Sequence, residues 1–265
     1  MNEISARWIP GAVSVTFRDM HLGVDEALEL LCETGLRTIE WSENVHLPEN
    51  DPSGARDLRN RTRSAGISVA AYGSYYHLGT YGDPEKTFSR TLRNAAALEA
   101  PVVRIWAGNQ GSQNTCDADF YRMCREAWTL AEMAAKEGIR LAFEWHKDTL
   151  TDTNHSAFRL LAEINHPNLF CLWQPTVALS PAERTAGLRQ LYHLGRLINC
   201  HVYSWPGNTR STLNAAEWQY YLDAVGSLSE PHALLLEFVR DDSPDQFRQD
   251  ASILTDLIRK QYSDR

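Results

Sequence analysis

The chain has 265 residues, a hydrophobic fraction of 43% and a formal net charge of −8, with 26 Lys and Arg residues against 34 Asp and Glu residues. The hydrophobic fraction supports a sizeable core and excludes an intrinsically disordered chain. The acidic balance disfavours a surface that binds nucleic acid or an anionic membrane, because both need clustered cations.

The sequence indicates neither a targeting segment nor a disulfide pattern. No apolar run approaches the roughly 18–20 residues of a membrane span, and residues 1–15 lack the long apolar stretch of a secretory signal. The five cysteines are an odd, scattered set without a Cys-x-x-Cys pair. We therefore expect buried, reduced thiols in a cytoplasmic protein.

Short apolar, β-branched or aromatic runs recur along the chain, and each is followed by an amphipathic stretch. The runs begin about 24 to 38 residues apart, which is enough for one strand, one helix and two loops. In chain order, the predicted strands are residues 13–17, 37–41, 68–72, 102–106, 140–145, 169–173, 197–203 and 232–238.

The starts of several helices are marked by Asp or Ser followed by proline. This pair combines an N-cap side chain with a residue suited to the first helical position. The pairs are Asp51-Pro52, Asp83-Pro84, Ser180-Pro181 and Ser243-Pro244. Glu183 and Gln246 lie where they would complete a capping box with Ser180 and Ser243. Helix ends are indicated by glycine at positions 35, 66, 138 and 195.

Eight strand–helix units with short connections predict an α/β fold, a single (β/α)8 barrel that forms one domain over residues 1–265. The alternative is an open, doubly wound sheet, which usually carries a Gly-rich loop after its first strand. Here the segment RDMHLG follows the first predicted strand. It matches neither the dinucleotide-binding nor the P-loop pattern.

Active sites of such barrels lie at the C-terminal ends of the strands. Strand 5 ends with Glu144 and His146, strand 6 with Gln174, strand 7 carries His201, and strand 8 ends with Glu237. Residues two apart on a strand share a face. Each of these side chains therefore points away from its apolar neighbours, and we expect all of them at the barrel mouth.

Two carboxylates at one spot repel each other unless a cation joins them. The cluster therefore predicts a divalent metal bound by Glu144, Gln174, His201 and Glu237. Oxygen-rich ligation with one imidazole suits Mn²⁺ best, with Mg²⁺, Co²⁺ or Zn²⁺ as alternatives.

The sequence resembles the xylose-isomerase-like TIM barrels, a family of sugar isomerases and epimerases that includes hydroxypyruvate isomerase. The resemblance rests on TIEWSENVHLP, AAYGSYYHLGTYG, VVRIWAG, LAFEWH, LWQP, CHVYSW and LLLEF. It implies Glu, Asp, His and Glu on strands 5 to 8 around one metal ion. Glu144, His201 and Glu237 match this set, whereas Gln174 stands where the family usually has Asp. Val177 stands where members often have a histidine.

The resemblance implies a metal-dependent isomerase or epimerase that acts on a sugar or related hydroxy-carbonyl compound through a metal-stabilised enediolate. Glu144 and Glu237 would be the catalytic acid and base. Aromatic rings near the strand ends suit the C–H faces of a sugar. The rings expected at the mouth are Trp41, Tyr72, Tyr75, Tyr76, Trp106, Tyr203 and Trp205. The residues predicted to contact substrate are Glu40, His46, Tyr72, Ser74, His77, Arg104, Trp106, His146, Tyr203 and Arg210.

The sequence leaves other functions open. A lyase or dehydratase acting on an inosose, a dehydroshikimate or a 3-keto-glycoside would use the same barrel and metal. The Gln174 substitution also allows a sugar-binding barrel without activity. An endonuclease of the endonuclease IV type needs additional metal ligands, and Val177 occupies one of their positions. We expect a small carbohydrate as partner, no nucleic acid or membrane, and a homo-oligomer, either dimer or tetramer.

Overall fold

A computed structural model of the chain describes residues 7–263. Eight parallel strands form a closed barrel in which each strand pairs with the next and β1 pairs with β8. An α-helix follows every strand, so the predicted (β/α)8 barrel is confirmed.

The strands that form the barrel are β1 (Trp8–Val13), β2 (Thr38–Ser42), β3 (Ser68–His77), β4 (Val102–Trp106), β5 (Arg140–Glu144), β6 (Leu169–Trp173), β7 (Leu197–Val202) and β8 (His232–Leu236). The helices that surround it are α1 (Val24–Thr34), α2 (Pro52–Ser64), α3 (Pro84–Leu98), α4 (Asp117–Lys136), α5 (Asn154–Ile164), α6 (Pro181–His193), α7 (Ala215–Val225) and α8 (Pro244–Ser263).

The prediction for the first strand is wrong. Residues 13–17 were expected as a strand, but β1 ends at Val13 and Ser14–Phe17 form a 3₁₀ turn. The true strand contains Pro10 and Gly11, residues that ordinarily argue against a strand. Pairing with β8 and β2 overrides that local preference, because closure of the barrel requires a strand between them.

The proline-marked helix starts are confirmed. The side chains of Asp51, Asp83 and Ser180 each accept a hydrogen bond from a backbone N–H in the first helical turn. Ser180 and Glu183 form the expected reciprocal capping box. The second predicted box forms only in part: Ser243 Oγ accepts from the Gln246 N–H, whereas Gln246 Oε1 accepts from the Thr212 hydroxyl.

The core has two parts. Large side chains such as Trp41, Trp145 and Trp173 are fully buried between the strands and the helices. Inside the barrel the side chains are smaller. One interior cluster consists of Ala71, Val102, Ala142, Leu172 and Ile198. These small residues form the floor beneath the polar groups at the barrel mouth.

The structure also bears on the cysteines and on membrane insertion. All five cysteines are free thiols. Cys124, Cys171 and Cys200 are buried as expected, whereas Cys32 and Cys116 are exposed, so the expectation of burial was wrong for these two. Within residues 7–263, no helix combines the length and the apolar character needed to cross a bilayer.

Gly11 provides a test of barrel packing. A Cβ at this position would lie 2.3 Å from the Thr38 carbonyl oxygen and 2.8 Å from Leu235 Cδ2. We expect Gly11→Ala to lower the free energy of unfolding by about 3 kcal/mol, the upper end of ordinary overpacking costs. Chemical denaturation measures the loss. Gly82→Ala is the matched control, because a Cβ there meets no atom within 4 Å. Equal stability of the two variants would contradict the close approach of β1 to β2.

Candidate active site

The polar residues at the barrel mouth lie one layer above the interior cluster. Arg104, Glu144 and Gln174 each follow an interior apolar residue by two positions, as strand alternation requires. Glu144, Gln174, His201 and Glu237 are all buried. The structure therefore brings together the side chains that strand alternation predicted to lie at one spot.

His201 is at the centre of this group. Its Nδ1 lies 3.3 Å from Glu237 Oε2 and 3.9 Å from Glu144 Oε1. One potential ligand atom from each of these three residues lies within 4.8 Å of the other two. His201 Nδ1 and Glu144 Oε2 are buried without a hydrogen-bond partner among the described residues, although Glu144 Oε2 forms an ion pair with Arg104. The distances among the three side chains show that they converge on one point.

A second buried pair supports the first group from the side of β2 and β4. Arg104 Nη2 lies 3.2 Å from Glu40 Oε1, and Arg104 Nη1 lies 3.2 Å from Glu144 Oε2. The other oxygen of Glu40 lies 3.2 Å from His201 Nε2. Because Glu40 accepts a hydrogen bond from Nε2, it orients the ring so that Nδ1 faces Glu144 and Glu237.

The charges of this network shift its pKa values. Burial acts to raise the pKa of Glu40, but the charges of His201 and Arg104 hold it below its ordinary value. Burial acts to lower the pKa of His201, but Glu237 and Glu40 raise it to about 10. Burial also acts to lower the pKa of Arg104, but the charges of Glu144 and Glu40 raise it. The imidazole therefore carries a proton at neutral pH, and a metal bound at Nδ1 would have to displace a proton.

The donor set fits a divalent metal ion. Glu40, Glu144 and Glu237 contribute three negative charges and Arg104 one positive charge, so the cluster with neutral His201 has a net charge of −2. One divalent cation would neutralise it. Two carboxylates and one imidazole are ligands that Mn²⁺, Mg²⁺ and Zn²⁺ all accept in proteins.

Gln174 is next to this donor set. Its side-chain Nε2 donates to Glu144 Oε1 at 3.1 Å, so the amide nitrogen faces the carboxylate. A half-turn of the amide would exchange the nitrogen for the oxygen that a metal requires. In the orientation observed, Gln174 positions Glu144, and its role as a ligand stays a prediction.

A cavity of about 320 Å³ opens above the cluster. Arg104, Glu144, Gln174 and Glu237 line its floor. Its walls include other residues expected to contact substrate, namely Trp106, His146 and Tyr203. The rings of Trp106 and His146 stack with centroids 4.8 Å apart. The cavity is therefore charged at its base and aromatic at its sides.

Six residues predicted to contact substrate are not among the residues that line this cavity. One of them is Glu40, which is buried and pairs with Arg104. The ring of His46 bonds to the Leu22 carbonyl, Tyr72 donates to Glu43, and Ser74 donates to the Arg104 carbonyl. The other two are held by their own contacts: His77 bonds to the Gly108 carbonyl, and Arg210 pairs with Asp242. Trp41 and Tyr76, also expected at the mouth, are buried among the helices.

Sequence reasoning missed several contributors to the site. Arg18, Lys147 and Phe238 line the cavity, although they lie beyond the strand ends used for prediction. Gly73 was also missed. A Cβ there would lie 2.4 Å from Glu40 Oε1 and 2.7 Å from Arg104 Nη2, so glycine leaves room for the buried ion pair. A glycine within a strand was the available signal for Gly73.

Comparison with known proteins identifies relatives of this barrel. The model of the xylose isomerase-like TIM barrel family matches residues 28–194. A 3-dehydroshikimate dehydratase of Bacillus anthracis is 26% identical over 168 residues, which cover 59% of this chain and 58% of the dehydratase. The chain therefore matches little more than half the length of this curated relative.

Solved structures share the fold along most of the chain. The probable 3-DHS dehydratase of Bacillus anthracis has 17% identity and a TM-score of 0.73, covering 94% of this chain and 98% of that one. The 3-keto-D-glucoside 4-epimerase of E. coli has 15% identity and a TM-score of 0.70, covering 95% and 99%. The IolI protein, solved with a zinc atom, has 13% identity and a TM-score of 0.71, covering 96% and 99%. At these identities the likeness is one of fold.

The buried network around Arg104 can be tested by stability measurements. Arg104→Met leaves Glu40 and Glu144 without their cation, and we expect a loss of about 3–5 kcal/mol in the free energy of unfolding. Combining Arg104→Met with Glu40→Gln removes one uncompensated charge. The free energy of unfolding should therefore fall less in the double variant than the sum of the losses in the two single variants. Chemical denaturation of all three variants gives the coupling energy.

The control for that cycle is Arg122→Met, which removes the cation of the exposed Arg122–Asp119 pair. Exposed ion pairs contribute little, so we expect a much smaller loss. Strict additivity of the Arg104 and Glu40 variants would mean that the two side chains do not interact as the distances indicate.

Gln174 can be tested by metal affinity. Gln174→Asp adds a negative charge beside Glu144, and we expect Mn²⁺ to bind at least about tenfold more tightly, since divalent ions prefer carboxylate oxygen. Titration calorimetry measures the change, and Gln174→Asn is the control that keeps the amide. If Gln174→Asp binds Mn²⁺ with unchanged affinity, residue 174 does not affect metal binding.

Proposed function

This chain belongs to the xylose isomerase-like TIM barrel family, and we propose that it is a divalent-metal-dependent isomerase or epimerase acting on a sugar or related hydroxy-carbonyl compound. One observation carries this proposal. Carboxylate oxygens of Glu144 and Glu237 lie 3.9 and 3.3 Å from His201 Nδ1 at the base of a cavity. This arrangement suits proton transfer at a carbon next to a carbonyl.

The two carboxylates would divide the proton transfer between them. One removes the proton from the carbon beside the substrate carbonyl, and the other returns a proton to the opposite face or to the neighbouring atom. Arg104 and Gln174 both contact Glu144, so its carboxylate is held in a fixed orientation toward the cavity. A divalent ion held by Glu144, His201 and Glu237 would supply Lewis-acid polarisation of the carbonyl.

The cavity walls support a sugar-like substrate. Trp106 and Tyr203 line the cavity with flat rings, and such rings pack against the C–H faces of a sugar. His146, stacked on Trp106, offers a polar ring nitrogen beside them. The rings also exclude water from the deprotonated substrate, which limits its uncontrolled reprotonation.

A dehydratase is the second candidate. It is favoured by the 26% identity with the 3-dehydroshikimate dehydratase of Bacillus anthracis and by the cation Lys147 in the cavity lining, which suits a substrate carboxylate. Arg18 lines the cavity too, but it pairs with Asp19. The proton abstraction is the same in both reactions. The outcome differs when a β-hydroxyl leaves the deprotonated substrate, because water is then lost and a double bond forms.

A substrate screen in deuterated water with Mn²⁺ tests both candidates. Free ketoses, 3-keto-glucosides and 3-dehydroshikimate are each incubated with the protein and examined by mass spectrometry and NMR. Deuterium in a ketose or keto-glucoside is the result expected of an isomerase or epimerase. Loss of water from 3-dehydroshikimate would favour the dehydratase, and no exchange with any compound would count against both.

Glu144→Gln and Glu237→Gln test the assignment of the acid and base. Each removes the proton-accepting group with almost no change in volume, so we expect turnover to fall by about 10²–10⁴-fold. Steady-state kinetics at saturating Mn²⁺ measures the loss. The matched control is Glu132→Gln, because Glu132 lies on α4 and contacts His166. Turnover within tenfold of wild type in either active-site variant would refute its assignment.

A further inference from the structure

We infer that the cavity between the loops after β6 and β7 is a second sugar-binding subsite, so that the substrate carries another hydroxylated ring beside the reacting one. This inference rests on the proposed function. The second cavity has a volume of about 540 Å³ and is lined from α6 and its preceding loop by Ala178 and Arg184. Ser204, Ser211 and Glu217 line it from the other side.

The two cavities adjoin each other. Lys147, Val177, Trp205 and Asn208 line both of them, so these residues form their common boundary. The first cavity, at about 320 Å³, lies at the low end of the range of roughly 300–1,000 Å³ for ligand pockets. It suits a single ring, and a larger substrate would extend across this boundary into the second cavity.

The walls of the second cavity suit a neutral polar group. Arg184 lies 3.2 Å from Glu217, so these two charges compensate each other. Ser211 Oγ donates to the Ser204 carbonyl, Ser204 Oγ accepts from the Asn214 N–H, and the side chain of Asn214 caps α7. Each of the two hydroxyls keeps further hydrogen-bonding capacity, which the donors and acceptors of a hydroxylated ring can use.

The indole ring of Trp205 lines both cavities. Its ring lies 4.5 Å, centroid to centroid, from that of Tyr203, which lines the first cavity. The flat ring of Trp205 lies at the boundary of the two cavities, where the C–H face of either ring of a two-ring substrate can pack against it.

The test compares two probes that share the reacting ring. One is a 3-keto-glucoside with a methyl aglycone, and the other is the matching 3-keto-glucoside with glucose as the aglycone. Solvent deuterium exchange with Mn²⁺ gives kcat/KM for each. We expect the two-ring probe to have a kcat/KM at least about tenfold higher in the wild-type protein, mainly through a lower KM.

Variants then localise this preference. Ala178→Trp adds bulk from one wall of the second cavity and Ser211→Tyr from the other, and each should reduce the ratio of the two kcat/KM values to near one. Ala216→Trp is the matched control, because Ala216 is exposed and belongs to neither cavity lining. This variant should retain the wild-type ratio.

The outcomes separate the inference from the proposed function. Equal kcat/KM values for the two probes in the wild-type protein would overturn the second subsite and leave the proposed reaction standing. A preference that persists in both Ala178→Trp and Ser211→Tyr would also overturn it. Exchange with neither probe, nor with the free ketoses, would instead remove the proposed function on which the inference rests.

Discussion

The candidate site depends on how three buried carboxylates coexist inside one barrel. Glu40, Glu144 and Glu237 would repel one another in a medium of low polarity. Arg104 bridges Glu40 and Glu144, and His201 lies between Glu40 and Glu237. The remaining imbalance of charge is what makes this cluster a fitting site for a divalent cation.

The barrel supplies the geometry for that compensation. Parallel strands end at the same rim, so residues from β2, β4, β5 and β7 meet although they are distant in the sequence. Small residues beneath and beside the cluster make the space that it needs. Ala142 lies on the floor below Glu144, and Gly73 leaves room for Glu40 and Arg104. Replacing Ala142 or Gly73 with a larger residue would displace the charged side chains as well as disturb the packing.

The same rim also connects the reaction with the choice of substrate. The charged floor suits a proton transfer that can lead to several different products. The walls determine which substrate reaches the floor. Part of those walls comes from the loops after β5, β6 and β7, where Lys147, Val177 and Trp205 separate the two cavities. Loops tolerate substitution more readily than strands, so specificity can change there while the floor remains constant.

The sequence by itself determined the eight repeated units, most of their boundaries and the inward direction of Glu144, His201 and Glu237, because strand alternation and helix capping are local properties. Tertiary structure decided the rest. β1 begins before the predicted run because closure against β8 outweighs Pro10 and Gly11. Glu40 and Arg104 join the cluster, whereas Arg210 turns to Asp242, since ion pairs between distant segments depend on where the folded chain places them.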